Sequence, residues 1–144
     1  MSESQGEDPL VVATRANHEI FMLTSSRLEA FLARHRLTYQ TAQALWVIDP
    51  DEPAPSMKVM ADRLYCNAPN LSFIARQLAD RGYLERVVDP DDRRSRVLVL
   101  TDEGRRVRAA VIDATLSASP FAQCEPHELR ELAAALERLR RRAS

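Results

Sequence analysis

Apolar positions along this chain change period several times, and each change marks an element. Between Leu10 and Arg36, Ala13, Ala16, Ile20, Leu23, Leu28, Phe31 and Leu32 recur mostly at three- and four-residue intervals, which predicts a long helix with one apolar side. A further helix begins at Thr38 and carries Tyr39 and Trp46. Two short helical patterns follow, Ser56 to Leu64 and Asn67 to Arg81, with almost nothing between them. In the second, Leu71, Ile74, Ala75 and Leu78 form the buried stripe, and Asn70, Ser72, Phe73, Arg76 and Gln77 fall on or near the outer face. The period then shortens to that of strands over Leu84 to Val88 and Val97 to Leu100. Helical spacing returns from Thr101 to about Ser119, with Val107, Ala110, Val111 and Ala114 on its inner side. Near the end, Leu129, Leu132, Leu136 and Leu139 repeat at three, four and three residues, a heptad-like seam.

Turn and cap chemistry sharpens these limits. Asn67 is suited to cap its helix, Pro69 falls in the first turn where a missing amide costs little, and Gly82 follows Arg81 as a left-handed stop. Thr101 caps the next helix, with Asp102 and Glu103 in a first turn that favours anions. Ser56 caps without a capping-box partner, because Val59 stands three residues on. Asp49 to Pro55 is rich in Pro and acid and reads as a rigid connection. Between the two strands lies a loop of Asp, Pro and Arg with Arg93, Arg94 and Arg96 at or beside the tip. Three guanidinium groups on a hairpin suit phosphates or a narrow minor groove. Two closely spaced helices followed by such a hairpin make a winged helix-turn-helix.

The ordered motifs Leu37-Thr38 to Leu45, Met60-Ala61-Asp62-Arg63-Leu64, Leu78 to Arg86, Asp89-Pro90-Asp91-Asp92-Arg93-Arg94 and Leu100-Thr101-Asp102-Glu103-Gly104 resemble the MarR family of transcriptional regulators. The resemblance runs by motif from Leu37 to Gly104, and by pattern only over the flanking helices. The fold expected is mainly α with a small β-hairpin: one domain over 1–144, with a flexible N-terminus at 1–9. Dimerisation helices are expected at 10–36 and 101–142, around a winged helix-turn-helix core at 37–100 whose wing covers about 84–100. Ala13, Ala16, Ile20, Leu129, Leu132, Leu136 and Leu139 are expected at the interface of a homodimer. Such a dimer suits a palindromic operator whose half-sites lie about 10 bp apart in double-stranded DNA.

The DNA-binding residues expected on the recognition helix are Asn67, Asn70, Ser72, Phe73, Arg76 and Gln77; those on the wing are Asp92, Arg93, Arg94, Ser95 and Arg96. Ser56 and Lys58 are expected at phosphates. The resemblance places the minor-groove arginine on Arg94, with Asp92 fixing the direction of its guanidinium. Many relatives have Thr-Arg where this chain has Ser72-Phe73, so an expected basic contact is missing. Phe73 then either touches thymine methyls or folds back onto the core. The resemblance also implies a ligand-released repressor whose effector is a small, aromatic or phenolic molecule, with Tyr39 and Trp46 as candidate lining residues. An oxidant is the other signal known in such proteins.

Composition narrows the alternatives. The chain has 144 residues, 45% of them hydrophobic, which is ample for a core. Its 20 basic and 21 acidic residues nearly cancel, so whole-chain charge carries no sign of nucleic-acid binding. Only the clustering of arginine at the wing does. Lys58 is the only lysine, a bias that runs into the terminal Arg138, Arg140, Arg141 and Arg142 and therefore reflects base composition more than DNA contact. With only three glycines and neither a nucleophile elbow nor a phosphate loop, an enzyme is not expected. His18, His35 and His127 have no metal-ligand spacing, and no metal or cofactor is expected. Cys66 and Cys124 are far apart; Cys66 reads as buried in the turn, and Cys124 as packing on Leu129 at the start of the last helix. Neither lies in the first helix, which disfavours a thiol-based redox-sensing regulator. The polar, acidic stretch Ser2 to Asp8 does not resemble a signal peptide, and no apolar run is long enough for a membrane, so a cytoplasmic protein without membrane contact is expected. The remaining alternative is a winged-helix protein-interaction module without specific DNA binding.

Overall fold

The computed structural model describes residues 6–144. The elements are α1 (Pro9–Arg34), α2 (Tyr39–Trp46), α3 (Met57–Leu64), α4 (Ala68–Asp80), β1 (Leu84–Val88), β2 (Arg96–Leu100), α5 (Asp102–Ala118), a single 3-10 turn (Pro120–Gln123) and α6 (Pro126–Ala143). Of the flexible stretch expected at 1–9, residues 1–5 lie outside the described residues. Glu7 makes a two-pronged pair with Arg15 (Nη2–Oε2 2.8 Å), Asp8 accepts the Leu10 amide at 2.9 Å, and Pro9 already opens α1.

The chain divides into two compact units, residues 28–114 and the described residues up to Arg27 together with 115–144. Every buried apolar side chain among the described residues belongs to the first unit, from Leu28 to Val111. Its core includes Leu45, Met60, Leu71, Ile74, Leu78, Leu84 and Leu98, each at most 2% exposed. These come from α2, α3, α4 and the hairpin, so the helix pair and the wing share one hydrophobic centre.

Local chemistry explains where the helices stop. Thr38 and Thr41 form a reciprocal capping box at the start of α2 (Thr38 N to Thr41 Oγ1 2.8 Å). At its other end the last carbonyls would be unpaired, and two distant guanidinium groups reach them. Arg108 donates to the Trp46 carbonyl at 3.0 and 3.2 Å, and Arg63 to the Val47 carbonyl at 2.8 Å. The Tyr83 hydroxyl donates to the His35 carbonyl just past α1, at 2.8 Å. α4 begins at Asn67, whose side chain accepts the Asn70 amide at 2.9 Å. It ends in a Schellman arrangement: Gly82 N to Ala79 O and Tyr83 N to Leu78 O, both 3.0 Å, with Gly82 at φ +79°.

β1 and β2 pair antiparallel from Leu84 opposite Leu100 to Val88 opposite Arg96, one residue longer on β2 than the sequence pattern indicates. A single bridge joins Ser56 to Val97, and Leu98 N donates to Pro55 O at 3.0 Å. The segment before α3 thus supplies one rung of a third strand. Thr101 Oγ1 caps α5 by accepting the Gly104 amide at 2.9 Å, and it donates to the Gly82 carbonyl at 2.6 Å.

The second unit is built differently. α6 has no buried residue, and Leu129, Leu136 and Leu139 are 39, 42 and 56% exposed. On the N-terminal part of α1, Leu10, Val11, Val12, Phe21, Met22 and Leu23 are exposed as well. Ala13 is exposed, while Ala16, Ile20 and Leu132 are half-buried. The Glu137 carboxyl is held down to about 2 by Arg140 and Arg141 on the next turn. No helix among the described residues is long and apolar enough to cross a membrane.

A candidate nucleic-acid interface

The polar side of α4 follows directly from its buried side. At about 100° per residue, Phe73 lies roughly opposite the mean direction of Leu71, Ile74, Ala75 and Leu78. Asn67, Asn70, Phe73 and Arg76 are exposed, and Ser72 and Gln77 are half-buried at the margins. Of the two positions open to Phe73 in the sequence, the structure takes the outward one: its side chain is 57% exposed and does not return to the core. The face therefore presents one aromatic among amide and guanidinium groups.

The wing tip is an ordered turn. Asp89 N donates to Ser95 O at 3.0 Å, closing the hairpin, and the Asp89 carboxylate accepts the Asp91 amide at 2.9 Å. Asp92 Oδ1 accepts the backbone amide of Arg94 at 3.0 Å, and Asp92 Oδ2 accepts the Ser95 hydroxyl at 3.2 Å. This corrects the role expected of Asp92. It shapes the chain that carries Arg94 rather than gripping the guanidinium, because an Asp two residues before an amide is well placed for an Asx turn. Arg93, Arg94 and Arg96 are all exposed, and among the described residues none forms an ion pair with a carboxylate. The tip holds three Asp and three Arg, so its formal charge is nil. Two of the carboxylates accept backbone amides, and Arg96 donates only to the tip carbonyls of Arg93 and Ser95 (3.5 and 3.3 Å), so no guanidinium of the tip is neutralised by a carboxylate.

Ser56 spends its hydroxyl on the Val59 amide (3.2 Å) as the cap of α3, and Lys58 is exposed on the first turn of that helix. The structure brings Ser56, α4 and the wing into the one unit 28–114. Tyr39 and Trp46 are half-buried at the first and last positions of α2, on about the same side and ~10 Å apart along its axis. Burial raises the Tyr39 hydroxyl above its usual pKa. A cavity of about 50 Å³ lies between residues 48–54, β2 and Arg105, with room for a water or two and not for an aromatic effector. Among the described residues no three His, Cys, Asp or Glu side chains gather as a metal set. Cys66 is half-buried rather than buried, since the turn that holds it lies at the surface. Burial pushes the Cys124 thiol up, and the nearby Glu128 carboxylate adds to the shift.

Two residues absent from the expected site matter to its shape. Gly104 lies against the wing base so closely that a Cβ there would stand 1.7 Å from the Tyr83 carbonyl oxygen. The Leu-Thr-x-x-Gly motif signals it, but only the contact supplies its reason. Tyr65 ends α3 in the left-handed conformation (φ +52°) with its side chain 92% exposed. A turn of only three residues between helices, Tyr65 to Asn67, favours such a conformation, which is the signal available in the sequence.

A capped helix pair, an outward polar α4 and an arginine-tipped hairpin define a winged helix of the DNA-binding type. Residues 37–104 match the family model described as a winged helix DNA-binding domain. A MarR transcriptional regulator from Methanosarcina mazei Go1 superposes with a TM-score of 0.81 at 17% identity, covering 92% of this chain and 96% of that one. The transcriptional repressor CouR, solved bound to a 23-mer DNA duplex, gives 0.75 at 24% identity over 100% of both chains. In sequence, the chain is 29% identical over 117 residues to the exopolysaccharide II synthesis transcriptional activator ExpG of Rhizobium meliloti (strain 1021), covering 77% of this chain and 59% of that protein. The chain spans just over half the length of the curated relatives it matches, from 52 to 59%. Residues 37–104 thus form a winged helix DNA-binding domain, and the chain has the fold of the MarR regulators it superposes on.

Proposed function

We propose that this chain is a homodimeric, sequence-specific DNA-binding regulator. Each α4 enters the major groove of one half of a palindromic operator, and each wing tip enters the neighbouring minor groove. The observation that carries the reading is the wing: three exposed arginines, free of carboxylate partners among the described residues, sit on a turn that Asp89 and Asp92 hold in shape. Arg94 reaches into the minor groove, where the potential is most negative. Arg93, Arg96, Lys58 and the segment at Ser56 contact phosphates, and Asn70, Ser72, Arg76 and Gln77 read base edges or position the helix.

Dimerisation rests on the apolar surface that α1 and α6 leave uncovered. A second copy is the occupant that a two-fold operator requires, and burying one exposed Leu is worth about 1.5–3 kcal/mol. Control by a small aromatic or phenolic effector is part of the proposal. CouR from Rhodococcus jostii RHA1 has been solved with p-coumaroyl-CoA, which supports it. An effector that prefers a dimer with the wrong spacing of its two α4 helices draws population away from the DNA-competent form. Repression relieved by the effector is then the default mode, a reading that the repressor CouR supports. Thiol sensing is disfavoured because neither cysteine lies in the first helix, and because burial and the nearby Glu128 carboxylate push the Cys124 thiol up, away from the lowered pKa that a reactive thiol needs.

The test is selection of duplexes from a random pool by the purified protein, followed by anisotropy titration of the enriched sequence against a shuffled control. Enrichment of a two-fold motif bound by two protomers is expected. Equal binding of enriched and shuffled duplexes would refute specific recognition and favour the protein-interaction module.

A further inference from the structure

We propose that Phe73 reads a thymine through its C5-methyl group, so that a T·A pair at the centre of each half-site is a specificity determinant of this protein. The inference rests on the DNA-binding reading above and concerns what α4 recognises. Phe73 is 57% exposed at the middle of the outward face of α4, flanked one turn away by Asn70 and Arg76 and by the half-buried Gln77. The other apolar residues exposed on α4 are the small Ala68, Pro69 and Ala79, so Phe73 is the one large apolar side chain that this helix exposes. A lone aromatic among amides and a guanidinium matches the edge of a major groove. There the thymine methyl is the one apolar group, and the adjacent adenine offers N6 and N7 to Asn or Gln. Phe73 has no hydrogen-bonding atom, so among the groups on the base edges the apolar thymine methyl is its preferred contact. Asn70 or Gln77 on the neighbouring turns supplies the partner contact to an adenine, which directs the centre of the half-site toward A·T pairs.

The experiment replaces each thymine of the selected duplex, one at a time and in symmetric pairs, with deoxyuridine. This removes the methyl and leaves the pairing intact. One substitution is expected to weaken wild-type binding about fourfold in a single half-site, the effect of losing one methylene-sized apolar contact, and more than tenfold when made in both. Phe73→Ala binds more weakly and is expected to lose that sensitivity entirely, with thymine and deoxyuridine duplexes bound alike. Its far-ultraviolet circular dichroism and melting temperature should match wild type, because the side chain leaves the core untouched. A wild-type affinity indifferent to deoxyuridine at every position would overturn the proposal, and so would a deoxyuridine penalty that survives in Phe73→Ala. Failure to enrich any sequence is a different result, which refutes DNA recognition itself.

Discussion

Replacing Gly104 by Ala tests how tightly α5 is locked to the base of the wing. An added Cβ would stand 1.7 Å from the Tyr83 carbonyl oxygen and 2.7 Å from its carbonyl carbon, and both are backbone atoms that cannot turn aside. Restoring ordinary contact requires more than 1 Å of displacement between α5 and the Gly82–Tyr83 turn. The same turn accepts the Thr101 hydroxyl at 2.6 Å and the Thr101 amide at 3.1 Å, and Thr101 in turn caps the Gly104 amide at 2.9 Å. Overpacking costs about 1–3 kcal/mol, and weakening this set of hydrogen bonds adds about 1–2. The better helix propensity of Ala returns up to ~1. A net loss of about 3 kcal/mol is expected, which lowers the melting temperature of a chain this size by roughly 10 °C. Gly6, which has open space where a Cβ would go, is the control, and Gly6→Ala should stay within about 0.5 kcal/mol of wild type. Urea unfolding followed by circular dichroism measures both. If Gly104→Ala unfolds within 0.5 kcal/mol of wild type, or is more stable, the close approach is not a constraint and the reasoning fails.

Three further expectations follow from named contacts. Tyr65→Gly should stabilise the protein by about 0.5–1 kcal/mol in the same assay, because it relieves a left-handed residue whose exposed ring packs on nothing; a loss of stability would show that the ring has a structural role. Asp92→Ala should weaken DNA binding although it removes a negative charge, and hydrogen exchange at the Arg94 and Ser95 amides should quicken about tenfold. Unchanged exchange would mean that Asp92 does not order the tip. Leu136→Glu should weaken self-association at least 100-fold by sedimentation, since each dimer loses two apolar contacts and gains two charges; a dimer of unchanged strength would place the interface elsewhere.

The elements of this fold were legible where local chemistry decides them. Asn67, Pro69 and Gly82 mark both ends of α4 because caps act within a few residues. The wing strands follow from β-rich runs around a Pro and Asp loop, with Arg96 the one residue the pattern left outside. What escaped the sequence are contacts between distant residues. Arg108 and Arg63 finish α2 from 62 and 16 positions away, and no periodicity announces a side chain reaching a foreign carbonyl. Gly104 stood in a recognisable motif, yet its cause lies in the Tyr83 carbonyl. Asp92 accepts the Arg94 amide, a partner that sequence proximity alone does not distinguish from the guanidinium of the same residue. For Phe73 the pattern allowed two orientations, and only packing of the core around Leu71, Ile74 and Leu78 selects the outward one.

The most direct test of the central claim is the dependence of DNA affinity on salt for wild type and Arg94→Ala. Arg106→Ala, on α5 and paired with Glu103, serves as control. If the wing neutralises or enters the negative field of the duplex, log Kd against log salt should be steep for wild type. The slope should fall by nearly two in Arg94→Ala, about 0.9 for each protomer of the dimer, and stay unchanged in Arg106→Ala. An Arg94→Ala slope equal to that of wild type, with equal affinity, would contradict the assignment of the wing to DNA.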